Sequence, residues 1–251
     1  MGGRGGASGF PTHASVVPAP LQSASEAKDL KELAQYMKNV GQWGIYVNEQ
    51  SLSGQTFENV REAAAAVERV MTEFPQAQGL FHELRGADVK AGVLANASYG
   101  GVITLSNQYY SRSEAHLKNT YDNTTAKGLH PVGTSKGDIA SHEAGHILER
   151  ALIDKHILSK SSSFLTQVAA ADAWRKSTMA SKVISEACRD AKKTAAGKGM
   201  KNADLIQSVS RYATTNRSET LAECVADYAA NGTNAKPLSV AVWNILKREL
   251  G

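Results

Sequence analysis

Apolar residues recur along this chain with two periods, and each period implies a different backbone. Leu30, Leu33, Tyr36, Met37 and Val40 fall on one face of a helix, with Ser23 and Glu26 as a capping box at its start and Gly41 at its end. Val60, Ala64, Val67, Met71 and Phe74 mark the inner face of a second helix over 56–74, which Pro75 stops. Between them, WGIYVN at 43–48 reads as a short strand. Over 79–106 the pattern shortens to a partial alternation broken by glycines. GLFHELRG, VKAGVLANA and GGVITLSN there predict a small sheet. Residues 107–136 are polar and carry no clear period, so they read as irregular.

Beyond that point the pattern is helical. Ile139, Ala140, Ile147, Leu148, Ala151 and Leu152 keep helical spacing over 137–158 without a proline, and Ser135 with Asp138 resembles a capping box. One long helical pattern runs from Phe164 to about Ala196, with Trp174 and Met179 as core residues. Helices over 202–212 and 216–230 follow. Pro237 opens the last, PLSVAVWNILKREL, which buries Leu238, Val242, Ile245 and Leu246. The expected fold class is α+β, mostly helical, with one domain over 23–251. Residues 1–22 are rich in Gly, Ser, Pro and Ala, a composition that cannot bury a core and reads as a flexible linker. A linker in that place suggests the C-terminal part of a longer protein.

Composition narrows the function classes. The two cysteines, Cys188 and Cys224, form no C-x-x-C, which argues against a disulfide scaffold and a cysteine zinc site. Net charge is +4, too dilute to predict nucleic-acid binding. The densest basic cluster, Lys192, Lys193, Lys198 and Lys201, lies among Gly and Ala and reads as a solvated turn. No stretch approaches the ~18 apolar residues of a membrane span, and no signal-peptide pattern opens the chain. The expectation is a soluble protein with no membrane span and no secretion address.

Within the 137–158 helix lies His142-Glu143-Ala144-Gly145-His146, an H-E-x-x-H pentad. With 7 His and 15 Glu in 251 residues, a shuffled chain contains roughly 0.01 such pentads, so composition alone does not explain it. Positions i and i+4 share a helix face, so His142 and His146 can offer two imidazole nitrogens to one cation. Glu143 then stands beside the ion, where a base for water is needed. Gly145 is a poor helix former, which suggests close approach of something to this helix.

Two histidines need a third protein ligand. The continuation H-x-x-G-x-x-H fails, because Glu149 and Leu152 occupy the Gly and His positions. An aspartate after Gly232-Thr233 fails too, because Pro237 stands in its place. A glutamate on a later helix remains. Glu219 and Glu223 both satisfy it, and Asp227 lies one turn further as a solvated or supporting acid. Glu219 also fits a capping box with Asn216, which would turn its carboxylate back on its own helix. Glu223 is then the fallback ligand, or it holds a histidine N–H. His82 reads as a satisfied sheet histidine. His130 can line the cleft, although a lone loop histidine is more often simply exposed.

YATTNRSETLAE, from Tyr212 to Glu223, resembles the Y-x-x-x-N-x-x-E-x-x-A-E stretch of the anthrax lethal factor-like zinc peptidases. The pentad, with Gly145 and Glu149, resembles their H-E-x-G-H-x-x-[DE]. The resemblance covers about 130–227. It implies a zincin-like fold: a small mixed sheet beside the pentad helix, then a glutamate helix. It implies one Zn²⁺ held by His142, His146 and Glu219, Glu143 as base and Tyr212 as the hydroxyl facing the oxyanion. Thr220-Leu221 replaces the aromatic pair common in that family. The flanks, GGRGGASG, GGVITLSNQYY and HPVGT, are similar to metallopeptidase-like domains of prophage minor capsid proteins. That implies a domain borne on phage head proteins, virion-associated or delivered to a host as an effector or toxin.

The expected activity is hydrolysis of a peptide or protein chain, with Val102–Ser106 as the sheet edge along which the substrate pairs. The alternative is a non-catalytic capsid domain with a vestigial metal site.

Overall fold

The computed structural model describes residues 21–39, 44–160 and 163–251. The linker expected over 1–22 falls outside them up to residue 20, as do Val40, Gly41 and Trp43. Leu21 and Gln22 belong to the body: Leu21 packs on the core, and the Gln22 carbonyl accepts from the Tyr36 hydroxyl at 2.9 Å. Helix α1 spans Leu30–Asn39. The residue that opens it is Asp29, whose Oδ1 accepts from the Glu32 N–H at 2.8 Å. The Ser23/Glu26 pair instead closes a short 3-10 turn over Ala24–Glu26.

Strand β1 is Tyr46–Val47, shorter than its apolar run, and α2 is Glu49–Leu52. Helix α3 covers Phe57–Thr72 and buries Val60, Ala64, Val67 and Met71 as its period requires. Pro75 does not merely stop it. It opens α4, Pro75–Gln78, where its missing N–H costs nothing. The sheet strands follow as β2 Glu83–Ala87, β3 Ala95–Ala97 and β4 Val102–Ser106.

The sheet is mixed, with strand order β1-β2-β4-β3. The first three neighbours run parallel and β3 runs antiparallel to β4. Val102–Ser106 is therefore not the edge: β4 pairs on both sides, and Ile103, Thr104, Leu105 and Ser106 are all buried. The free edge beside the pentad helix is β3. The turn between β3 and β4 passes so close to Leu80 that a Cβ on Gly101 would lie 1.9 Å from the Leu80 carbonyl oxygen, at φ +77°. Only glycine fits there.

Residues 107–136 are more ordered than their polarity predicts. Helix α5 is Asn107–Tyr110 and α6 is Glu114–Ala126. Ser113 caps α6 by accepting from the His116 N–H. Only Leu117 and Tyr121 of α6 are buried, so a two-residue anchor, one turn apart, left too weak a period to read.

Helix α7 spans Asp138–His156. It packs on α3, β3 and β4, and on the helices that follow, and buries residues around most of its circumference. At its start Asp138 accepts from the Ser135 N–H at 2.9 Å and pairs with Arg69 at 2.7 Å. The long pattern after Phe164 splits into α8, Phe164–Arg175, and α9, Thr178–Ala191. The break is Ser177 at φ 51°, a left-handed residue that no helix interior accommodates. Helix α10, Asn202–Val209, stops before Tyr212, which lies in a 3-10 turn over Tyr212–Thr214. Helix α11 is Arg217–Asn231 and α12 is Pro237–Leu250, the latter burying Leu238, Val242, Ile245 and Leu246. The molecule is mostly helical with one small mixed sheet, an α+β fold. No helix among the described residues is long and apolar enough to cross a membrane.

Candidate metal centre

Gly145 sets the distance between the two helices that form the site. A Cβ there would lie 2.7 Å from the Ala222 Cα and 3.3 Å from the Val225 Cβ. Helices α7 and α11 thus meet almost backbone to backbone. That brings residues 219 and 223 of α11 opposite residues 142 and 146 of α7.

The two readings of Glu219 resolve into two different atoms. Asn216 Oδ1 accepts from the Glu219 backbone N–H at 3.0 Å, so Asn216 caps α11. The Glu219 carboxylate does not turn back. Its Oε2 lies 3.0 Å from His142 Nε2 and 3.6 Å from His146 Nε2. One ligand atom from each of His142, His146 and Glu219 lies within 4.8 Å of the others. Both imidazoles are mostly buried, and their rings meet edge to face at 5.1 Å.

Each histidine is held from behind. His142 Nδ1 donates to Glu223 Oε1 at 2.8 Å. His146 Nδ1 donates to Ser218 Oγ at 3.0 Å, and the Ser218 hydroxyl donates to Glu149 Oε2 at 2.5 Å. An Nδ1–H on each ring turns Nε2 of both toward Glu219. Glu149 also accepts from the Ala180 N–H at 3.4 Å in the first turn of α9, so one carboxylate ties three helices. Glu223 therefore supports a ring rather than facing Nε2. Asp227 is not solvated: it is buried and accepts from Asn231 Nδ2 at 2.8 Å and the Lys236 N–H at 2.9 Å.

His130 is not a bystander. It stacks on Tyr121 at 4.6 Å, and its Nδ1 stands 3.5 Å from Glu223 Oε1. Tyr212 reaches the same place from the other side, its ring 5.8 Å from His142 and 6.4 Å from His130. Burial, with Glu219, Glu143 and Glu223 nearby, pushes the Tyr212 hydroxyl up to about 12, which keeps it a donor. His82 is exposed and takes no part. Trp174, half-buried, packs on Tyr99 at 5.6 Å and closes over His146 at 6.4 Å.

The charges of the cluster do not balance by themselves. Glu143, Glu149, Glu219 and Glu223 converge on His130, His142 and His146, and no Lys or Arg pairs with any of the four among the described residues. Burial raises Glu143, against the pull of His142 and His146. Burial raises Glu149 as well. Burial also works against ionised Glu219 and Glu223, but the histidines beside them hold both well below the usual carboxylate range. Burial would lower His142, yet Glu219 and Glu223 together lift it well above 6.5. Glu223 Oε2 is buried without a hydrogen bond, and the groups beside Glu219 Oε2 are the two imidazole nitrogens. Two imidazole nitrogens and a buried carboxylate oxygen converging in a surplus of acid make a candidate divalent metal site.

A cavity of about 360 Å³ adjoins this cluster. Its lining brings His130, His142, Glu143, Tyr212 and Glu223 together with Val93, Leu94, Leu129, Ile139 and Ala226. Glu143, one position past the first histidine, opens onto it. The Ala97 backbone N–H of the edge strand is aimed at the Glu143 carboxylate.

Ser218 and the roles of Glu149 and His130 were not readable as a set. Glu149 follows His146 by three positions and so shares its face, and Ser218 immediately precedes Glu219. Neither spacing says that they meet across two helices. No family model matches the chain, and neither a curated protein nor a solved structure does.

Proposed function

We propose that the chain is a zinc-dependent endopeptidase of zincin-like fold, related in mechanism to the lethal factor-like peptidases that its motifs resemble. The observation that carries this reading is the convergence of Glu219 Oε2 on both Nε2 atoms, with Glu143 and Tyr212 on the cavity side. His142, His146 and Glu219 would hold the ion, and two imidazoles with a carboxylate suit zinc. When bound, zinc supplies Lewis-acid chemistry, making water more acidic and polarising a carbonyl.

The remaining work falls to the chain's own side chains. Glu143, buried and raised by its burial, accepts a proton from the attacking water at its carboxylate and returns it to the leaving amine. Tyr212 donates its hydroxyl hydrogen to the oxygen that becomes negative, a contact worth roughly 3 kcal/mol where measured. Glu223 and the Ser218–Glu149 pair keep both imidazoles in one tautomer.

The edge strand β3 is the natural track for an extended substrate. Ser98 donates to Val102 and Ser106 donates to Leu94, so the ladder alternation turns the backbone groups of Ala95 and Ala97 away from β4. A peptide pairing there would pass over Glu143, with an apolar side chain in the 360 Å³ cavity.

Zinc content and peptide cleavage measured together test the reading. Glu143→Gln is expected to keep stoichiometric zinc and lose turnover, and Glu219→Ala to lose zinc affinity. Full turnover in Glu143→Gln would refute the role given to that carboxylate. Wild type that binds no zinc would refute the reading as a whole.

A further inference from the structure

Tyr212 and Leu129 each have two sides. One lines the apolar cavity; the other lines a second, polar groove of about 970 Å³. That groove runs between α10, the turn over Tyr212–Thr214 and the first turn of α11. Among the described residues no Asp or Glu lines it, and two arginines do, Arg211 and Arg217. Both are exposed, and neither makes an ion pair among the described residues. Arg211 is nonetheless placed: its N–H donates to the Gly128 carbonyl at 2.7 Å, and Nη1 reaches the Lys127 carbonyl at 3.4 Å. Amides of Asn202 and Gln207 complete the polar wall.

We infer that this groove is a substrate subsite for acidic side chains, so that the chain selects peptides carrying an Asp or Glu close to an apolar residue. The inference rests on the peptidase reading of the adjoining centre. Two unpaired guanidiniums on a carboxylate-free wall attract an acid and repel a lysine, and their planar forks match a carboxylate. Continuity through Tyr212 and Leu129 places the acid next to the cavity that takes the apolar side chain. An extended chain reaching from one cavity to the other passes Tyr212, and Glu143 lines the cavity at its apolar end. Volume alone would admit many chemistries; the charge of the lining selects this one.

The test uses fluorescent peptides with one leucine and, on either side of it, Asp, Ala or Lys. Binding to chelator-treated protein is read by anisotropy at two salt concentrations, and cleavage is read after zinc loading. The Asp peptide is expected to bind about fivefold tighter than the Ala peptide for each arginine engaged, less so at high salt, with the Lys peptide weakest. Arg211→Glu with Arg217→Glu should invert the order, and the milder Arg211→Gln should flatten it; a thermal melt of each shows that the fold survives. Equal binding of all three peptides by a wild type that cuts them would overturn the subsite and leave the peptidase standing. Asp-selective binding without cleavage of any peptide would keep the groove and overturn the peptidase.

Discussion

Gly145 of α7 and Ala222 of α11 stand so close that a Cβ on the glycine would lie 2.7 Å from the alanine Cα. The neighbour is backbone, so it cannot turn aside. Gly145→Ala gains about 1 kcal/mol of helix propensity but overpacks the contact at a cost of about 1–3 kcal/mol. A modest net destabilisation is expected in chemical unfolding. The zinc affinity is expected to fall more sharply, because a shift of α11 carries Glu219 and Glu223 away from both rings. Unchanged zinc affinity would mean that this contact does not set the site's geometry.

Ser218→Ala removes the hydroxyl that links His146 to Glu149. The ring then loses the acceptor that fixes its Nδ1–H, and a buried carboxylate loses a donor. A drop of about 10–100-fold in zinc affinity is expected from competition with a calibrated chelator. Ser218→Thr, which keeps the hydroxyl, should recover most of it.

Tyr212→Phe leaves every group facing the ion in place and removes one donor. Turnover is expected to fall about 100-fold or more with zinc content unchanged. Since the hydroxyl is pushed up to about 12, the wild-type rate should show no limb from its ionisation below pH ~10.

The metal-free protein should respond to pH through the same cluster. His142 is raised on folding, so its contribution is complete below the unfolded value of about 6.5 and fades as pH rises through the higher folded value. Glu219 and Glu223 are lowered, so theirs is complete above about 4.3 and fades as pH falls through their folded values. Thermal melts of chelator-treated protein should peak between those two limits. On the proposed reading zinc would displace the His142 proton, so its apparent affinity should climb with pH across neutrality and its binding should release protons. A flat zinc affinity from pH 6 to 8 would contradict a protonated His142 in the metal-free state.

Local patterns reached far into this fold. The periods of α3, α7 and α12 identified their buried faces, and the pentad with Glu219 identified the residues that converge. What they missed depends on partners distant in the chain. Ser177 breaks a helix through its own left-handed backbone, which a serine does not advertise. Strand β4 lies inside the sheet because β3 folds back on it, a fact of pairing and not of alternation. His130 looked solitary because Tyr121, Glu223 and Tyr212 reach it from three other segments. Glu219 carried two plausible roles because a backbone N–H and a carboxylate share one residue number.

His146 and the Ser218 that steadies it are 72 residues apart, and 81 separate His142 from Glu223. Helix α11 carries Glu219 and both supports, Ser218 and Glu223, within two turns, so the centre gains or loses them together. On the ribosome, a nascent chain would display its imidazole pair long before the means to arm it. Any proteolytic power this molecule has is therefore withheld from the cell that makes it until α11 has been synthesised and docked.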